Sequence, residues 1–214
     1  MPDSKLLPTT YLAVLSLVAT GAKYGYEINN LLRDRGYDNW LDVKFSSVYK
    51  ALSELEKRNL IQGAKGDEKI QSSKKTYSLT KQGEKILREQ IIECLSNPPK
   101  RTHLLDLGIS SMMQLAKEEA VAALETYLER LEERITFLKS NVHILSDRDL
   151  LETMIKGNLM KEGPLMKEED LENLPLVRAL FERPLFTLQA EKQWIEKFLN
   201  EISSKDCKIP FKKR

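Results

Sequence analysis

Eight apolar residues, Val121, Leu124, Leu128, Leu131, Ile135, Leu138, Val142 and Leu145, follow one another at intervals of 3, 4, 3, 4, 3, 4 and 3. An average step of about 3.5 residues keeps all eight on one side of an α-helix, as in a coiled-coil seam. A stripe that long and regular does not stay in water, because each Å² of apolar surface removed from it gains about 25 cal/mol. The feature therefore demands a long helix and a second helix to cover it. Two covers are available: the same helix of a second copy, or the last helix of the same chain. We expect the second copy, and with it a homodimer held by these eight residues.

The rest of the chain reads as mainly helical. Among 214 residues there are only 9 Gly and 8 Pro, which disfavours a loop-rich or all-β fold. A first helix runs from Pro8 to about Ala19, with Leu12, Leu15, Val18 and Ala19 recurring on one face and Gly21 as its stop. A second runs from about Tyr24 to Arg35, with Ile28, Leu31 and Leu32 as its stripe and Gly36 as its stop. A loop through Asp38, Asn39 and Trp40 leads to a third helix, from about Ser46 to Arg58. The period then changes: Leu60 to Gly63 and Lys75 to Leu79 read as two strands, with a polar hairpin tip over 65–73. Thr80 caps a helix from Lys81 to about Leu95, and Asn97-Pro98-Pro99-Lys100 breaks the chain. Helix, helix, helix, strand, strand, helix is the order of a winged helix-turn-helix. A short helix around Leu104 to Leu115 precedes the seam, and a last one covers about Leu176 to Ser203, where Arg183-Pro184 should kink or divide it. The division that follows is 1–96 as a winged helix-turn-helix domain, 97–207 as an all-α, antiparallel or coiled-coil-like dimerisation domain, and 208–214 as a basic disordered tail.

The third helix carries the candidate chemistry. At about 100° per residue, Val48, Leu52 and Leu55 fall on one side with Ala51 beside them, while Ser46, Lys50, Ser53 and Lys57 fall on the other, flanked by Ser47 and Tyr49. Small hydroxylated side chains let a helix enter a groove, and hydroxyls and lysines bond phosphates. Any solvated helix face resembles such a stripe; its place as the third helix before a hairpin is what gives it meaning. Glu54 and Glu56 lie further along and would repel phosphate, so contacts should concentrate in the first two turns. Lys65, Lys69, Lys74 and Lys75 fall in or beside the hairpin, where a wing neutralises phosphates.

Several blocks then align with a known family. Gly25-Tyr26-Glu27-Ile28, Ser47-Val48-Tyr49-Lys50-Ala51-Leu52, Leu55-Glu56 with Leu60-Ile61, and Lys74-Lys75-Thr76-Tyr77-Ser78-Leu79-Thr80 with Gly83 resemble, in order, the signature blocks of PadR transcriptional regulators. The resemblance spans about residues 8–90. It departs at Lys50, where the family has proline, at Ser46, where glycine is frequent, at Lys74, often arginine, and at Asn59, where glycine precedes L-I. Asn59 tolerates the left-handed backbone that such a glycine supplies. Leu174-Pro175-Leu176-Val177-Arg178 and Glu191-Lys192-Gln193-Trp194-Ile195 are similar, more weakly, to the last helix of the longer members. Trp194 is read as a core residue. The resemblance implies a DNA-binding repressor, dimeric through its helical half, released by a phenolic or other small hydrophobic effector. It implies DNA contacts from Ser47, Tyr49 and the wing lysines, Lys74 and Lys75 among them; the polar stripe of the third helix adds Ser46, Lys50 and Ser53 to the candidates, and the wing adds Tyr77.

Net charge is only +2, with +3 on residues 1–96 and −1 on 97–214, so bulk charge alone reveals no nucleic-acid partner. There are two histidines, His103 and His143, and neither a nucleophile set nor a phosphate-cradling glycine motif accompanies them. Cys94 and Cys207 are isolated, without the spacing of a zinc site. We therefore expect no enzyme activity, no cofactor and no metal. The N-terminus is not read as a signal peptide and no stretch is long enough to span a bilayer, so the expected setting is cytoplasmic. The alternative class is a winged helix used as a protein-interaction module, without operator binding.

Overall fold

The computed structural model describes residues 6–35, 37, 41, 43–64, 75–98, 103–157 and 168–212, excepting the side chains of 168–170. Gly36, Asp38, Asn39, Trp40, Lys65, Lys69, Lys74, Pro99 and Lys100 lie outside the described residues. The chain divides into two compact units, one holding the described residues up to Pro98 and the other those from His103 onwards.

The first unit begins with α1, Thr9–Ala19, entered from Pro8, whose carbonyl accepts the N–H groups of Tyr11 at 2.8 Å and Leu12 at 3.1 Å. Its end is set by Gly21 at φ +100°, with Ala22 N–H bonding back to Leu17 O at 3.1 Å and Gly21 N–H to Val18 O at 3.2 Å. Only a residue free in the left-handed region closes a helix this way. The second helix, α2, covers Gly25–Asp34, and its Glu27 reaches back to accept the N–H groups of Lys23 at 2.8 Å and Tyr24 at 3.2 Å. A 3₁₀ turn, Phe45–Ser47, leads into α3, Val48–Lys57, so the expected start at Ser46 is a tighter turn and not yet α-helix. The end of α3 repeats the geometry of α1 with a different residue. Asn59 stands at φ 56°, Leu60 N–H bonds Leu55 O at 2.9 Å and Asn59 N–H bonds Glu56 O at 2.8 Å.

The wing base is β1, Ile61–Ala64, paired antiparallel with β2, Thr76–Leu79, in the register Ile61 to Leu79 and Ala64 to Thr76. Tyr24 adds a bridge to Thr76 on the other edge of β2, fixed by Tyr77 N–H to Lys23 O at 2.8 Å. That third contact was not foreseen, because a single bridging residue leaves no alternation to read. Thr80 caps α4, Lys81–Ser96: its hydroxyl accepts Gly83 N–H at 2.9 Å and donates to Asn59 O at 2.6 Å. One core gathers these elements, including Val14, Leu15, Leu17, Ile28, Leu32, Val48, Leu52, Leu55 and Ile61.

The second unit has helices and no strand among the described residues. It contains α5, Leu104–Ser111, a 3₁₀ turn at Met112–Gln114, α6, Lys117–Ser146, α7, Arg148–Lys156, a 3₁₀ segment at Glu168–Asn173, and α8, Leu174–Ser203. The helix α7 was not expected; Asp147 starts it by accepting Leu150 N–H at 3.0 Å. The long helices α6 and α8 run antiparallel. Leu124 of α6 shares a cluster with Ile195 and Ile202 of α8, while Leu131 and Ile135 meet Leu185, and Leu145 meets Leu174, Val177 and Phe181.

Pro184 does not divide α8, which runs unbroken through it. A mid-helix proline costs about 3 kcal/mol, and here Leu185 and Leu188, just beyond it, are held on α6 by Leu131 and Ile135. The tail was expected to be disordered. Residues as far as Lys212 instead lie against α6 and α8: Ile209 and Phe211 are half-buried in the cluster around Leu124, and Lys212 N–H bonds Leu115 O at 3.0 Å. Two apolar side chains among four basic ones sufficed to dock it.

Candidate nucleic-acid interface

Burial divides α3 cleanly. Val48, Ala51, Leu52 and Leu55 are buried, and Tyr49, Lys50, Ser53 and Lys57 are exposed, with Ser46 exposed and Ser47 half-buried in the 3₁₀ turn before them. Tyr49 is 61% exposed and projects from the first turn. Its ring lies over Gly25: a Cβ there would stand 2.8 Å from Tyr49 Cε1 and 3.2 Å from Leu52 Cδ1. The glycine of the Gly25-Tyr26-Glu27-Ile28 block thus lets the start of α2 approach α3, the glutamate caps α2, and Ile28 enters the core. Tyr26 stacks on Tyr24 with ring centroids 5.5 Å apart. The block is a device for seating α3.

Charges around the stripe are partly committed. Lys57 Nζ lies 2.8 Å from Glu54 Oε1, a pairing that lowers the Glu54 pKa and raises that of Lys57. Lys75 Nζ lies 2.6 Å from Glu56 Oε2, and its pKa is raised, first by that hydrogen bond. Glu56 Oε1 also accepts Gly63 N–H at 3.2 Å. Glu56, read from the sequence only as a group repelling phosphate, is instead the point where α3 holds the wing base. Tyr77 is half-buried on β2, with the Lys75 ammonium 5.5 Å above its ring. Of the expected contact residues, the structure brings Ser46, Ser47, Tyr49, Lys50 and Ser53 onto one stripe, and sets Lys75 and Tyr77 at the wing base. Lys74 lies outside the described residues. Two arginines escaped the sequence reading: Arg33 stacks on Phe45 at 5.2 Å and Arg58 on Tyr11 at 5.9 Å, and no spacing rule marks either pairing.

The heptad seam has its cover within the chain. Leu124, Leu131, Ile135 and Leu145 are buried, and Val121, Leu128, Leu138 and Val142 half-buried, in clusters that include side chains of α8. Asn141 is buried beside them and its side-chain amide donates to Phe137 O at 2.8 Å. Tyr127 OH donates to Glu191 across the α6–α8 pair, with His103 Nε2 3.9 Å from the same carboxylate. Burial first, then that hydrogen bond, pushes the Tyr127 pKa up to about 12. Trp194, expected in the core, stacks on Phe198 at 4.9 Å but remains 42% exposed. Among the described residues no three of His, Cys, Asp and Glu gather as a metal site, and no helix is long and apolar enough to cross a membrane.

Comparison with known proteins agrees with this architecture. Residues 14–89 match the transcriptional regulator PadR-like family. An uncharacterised protein of Lysinibacillus sphaericus is 30% identical over 80 residues, 37% of this chain and 72% of that protein. Bacillus subtilis PadR solved with operator DNA superposes with a TM-score of 0.62 at 19% identity, over 90% of this chain and 98% of that one. The same protein solved with p-coumaric acid gives 0.61 at 19% identity, over 92% and 96%. The winged unit and the long helical pair are thus the fold of those structures, and the chain belongs to the PadR-like family of transcriptional regulators.

Proposed function

We propose that this regulator binds a two-fold symmetric DNA operator as a homodimer in the cytoplasm, represses from it, and is released by a small aromatic or hydrophobic effector. The observation that carries the reading is the exposed stripe of Tyr49, Lys50 and Ser53 on α3, preceded by exposed Ser46 in the 3₁₀ turn and seated beside a wing. Lys50 is the central residue of that stripe, within reach of a base edge or a phosphate. Ser47 and Tyr49 flank it as backbone contacts, and Lys74 belongs to the wing's phosphate contacts. The operator complex of Bacillus subtilis PadR supports the DNA partner, and its p-coumaric acid complex supports the class of effector.

With the buried seam residues occupied by α8, a second copy is best held by the outward side of the helical unit, where Leu176, Leu180, Phe186 and Trp194 remain exposed. The eight seam residues then serve the dimer indirectly, by holding the helical pair that presents this side.

The test is selection of bound duplexes from a random pool, followed by titration of Lys50→Ala. A symmetric site should emerge, and Lys50→Ala should cost about 1–3 kcal/mol on it if the lysine reads a base. Absence of duplex binding at low salt would transfer the winged unit to protein interaction. A compound screen showing neither thermal shift nor operator release would remove the effector from the reading.

A further inference from the structure

We infer that Glu56 is a positioning residue for DNA binding: it fixes the wing to the recognition helix through Gly63 N–H and Lys75, and Lys75 serves that tether instead of contacting phosphate. The inference rests on the DNA-binding reading above and adds how its two contacting elements are kept in register.

Glu56 lies in the third turn of α3, beyond the exposed stripe, and its two carboxylate oxygens have different partners. One accepts the backbone of β1 at Gly63 (3.2 Å) and the other the ammonium of Lys75 (2.6 Å), the residue that leads into β2. A single side chain thus ties both strands of the wing to the helix. The geometry needs a bare backbone beneath it. A Cβ on Gly63 would stand 2.0 Å from Lys75 Cε and 2.7 Å from Glu56 Oε1, because the lysine crosses directly over the glycine. Both obstructing atoms are ends of flexible side chains, so a methyl group there displaces the tether and leaves the strand in place. A lysine committed to a carboxylate releases few counterions on binding a polyanion, so it adds little to the salt dependence. The carboxylate lies on the helix and both sides of the wing base meet it, so its effect on binding runs through how the wing base is held against the helix.

The experiment compares the wild type with Gly63→Ala, Glu56→Ala, Lys75→Met and the Glu56→Ala, Lys75→Met pair. Each is titrated against a duplex selected by the wild type and against a scrambled duplex, at several salt concentrations. Hydrogen exchange of the backbone amide at position 63 in the free proteins is measured alongside. The expected result is that each single variant weakens the selected duplex by about two- to fivefold, with an unchanged salt slope, and that the amide at position 63 exchanges faster in Glu56→Ala, which removes its acceptor. The double variant should lose no more than the worse single one. Gly63→Ala separates position from charge, since it removes neither ion. A salt slope about one unit shallower in Lys75→Met, with binding by Glu56→Ala and Gly63→Ala unchanged or tightened, would make Lys75 a phosphate contact and overturn the inference. Unchanged exchange at position 63 in Glu56→Ala would overturn it too. A wild type that binds neither duplex would bring down the DNA-binding reading and this inference with it, whereas a wild type that binds while no variant differs removes this inference alone.

Discussion

A methyl group on Gly83 would stand 1.9 Å from the carbonyl oxygen of Leu60. That oxygen belongs to rigid backbone, held between the end of α3 and the Thr80 cap, and it has nowhere to go. Gly83→Ala should therefore destabilise the winged unit by about 1–3 kcal/mol, read as a lower urea midpoint; an unchanged midpoint would mean that α4 can slide. The neighbouring Asn59 shows the opposite tolerance, since at φ 56° it does what a glycine does in the PadR pattern. Tyr127 carries a pH signature. Its pKa is raised to about 12 from an ordinary 10.0, so the folded state favours the neutral phenol. The associated stability is fully present below about pH 10 and disappears as pH rises through about 12. In Tyr127→Phe the fall of the urea midpoint across that window should be shallower than in the wild type. Parallel curves would remove the Tyr127–Glu191 bond from the stability of the α6–α8 pair.

At the scale of elements, periodicity identified α6 correctly, but the expected cover, a second copy, is replaced along the buried seam by α8 of the same chain. A 3.5-residue stripe states that a helix must be covered, and nothing in it distinguishes a neighbouring copy from a distant stretch of the same chain. The cover is α8, whose own pattern is interrupted by Arg183-Pro184 and so reads less clearly. This changes what a seam mutation means. Leu131 is 4% exposed between α6 and α8, so Leu131→Asp should cost about 3–5 kcal/mol by burying an unpaired charge and unfold the helical unit outright. Circular dichroism should show lost helix, not a folded monomer. A helical, monomeric Leu131→Asp protein in sedimentation would restore the seam as the dimer contact.

For the whole molecule, the proposed dimer and the proposed operator are one claim, since two winged units bind together only when two copies are joined. Leu180→Asp with Phe186→Asp alters exposed positions, the second 70% exposed. It should yield a folded monomer that binds a selected operator far more weakly, because the second contact is no longer intramolecular. Half-sites should repeat about every 10 bp or a multiple of it. A double variant with unchanged sedimentation and affinity would place the dimer contact elsewhere. The sequence by itself determined the winged order, the two-faced third helix, the helix stop at Gly21 and the existence of a long covered helix. Each of these depends on local backbone preference or on a short period, which neighbouring residues encode. Only the tertiary structure decided that α8 covers the seam, that Ile209 and Phe211 dock, that Trp194 stays partly exposed, and that Glu56 reaches Gly63 and Lys75. Those outcomes turn on how separate elements meet, and no local pattern records which of several chemically adequate partners a side chain will find.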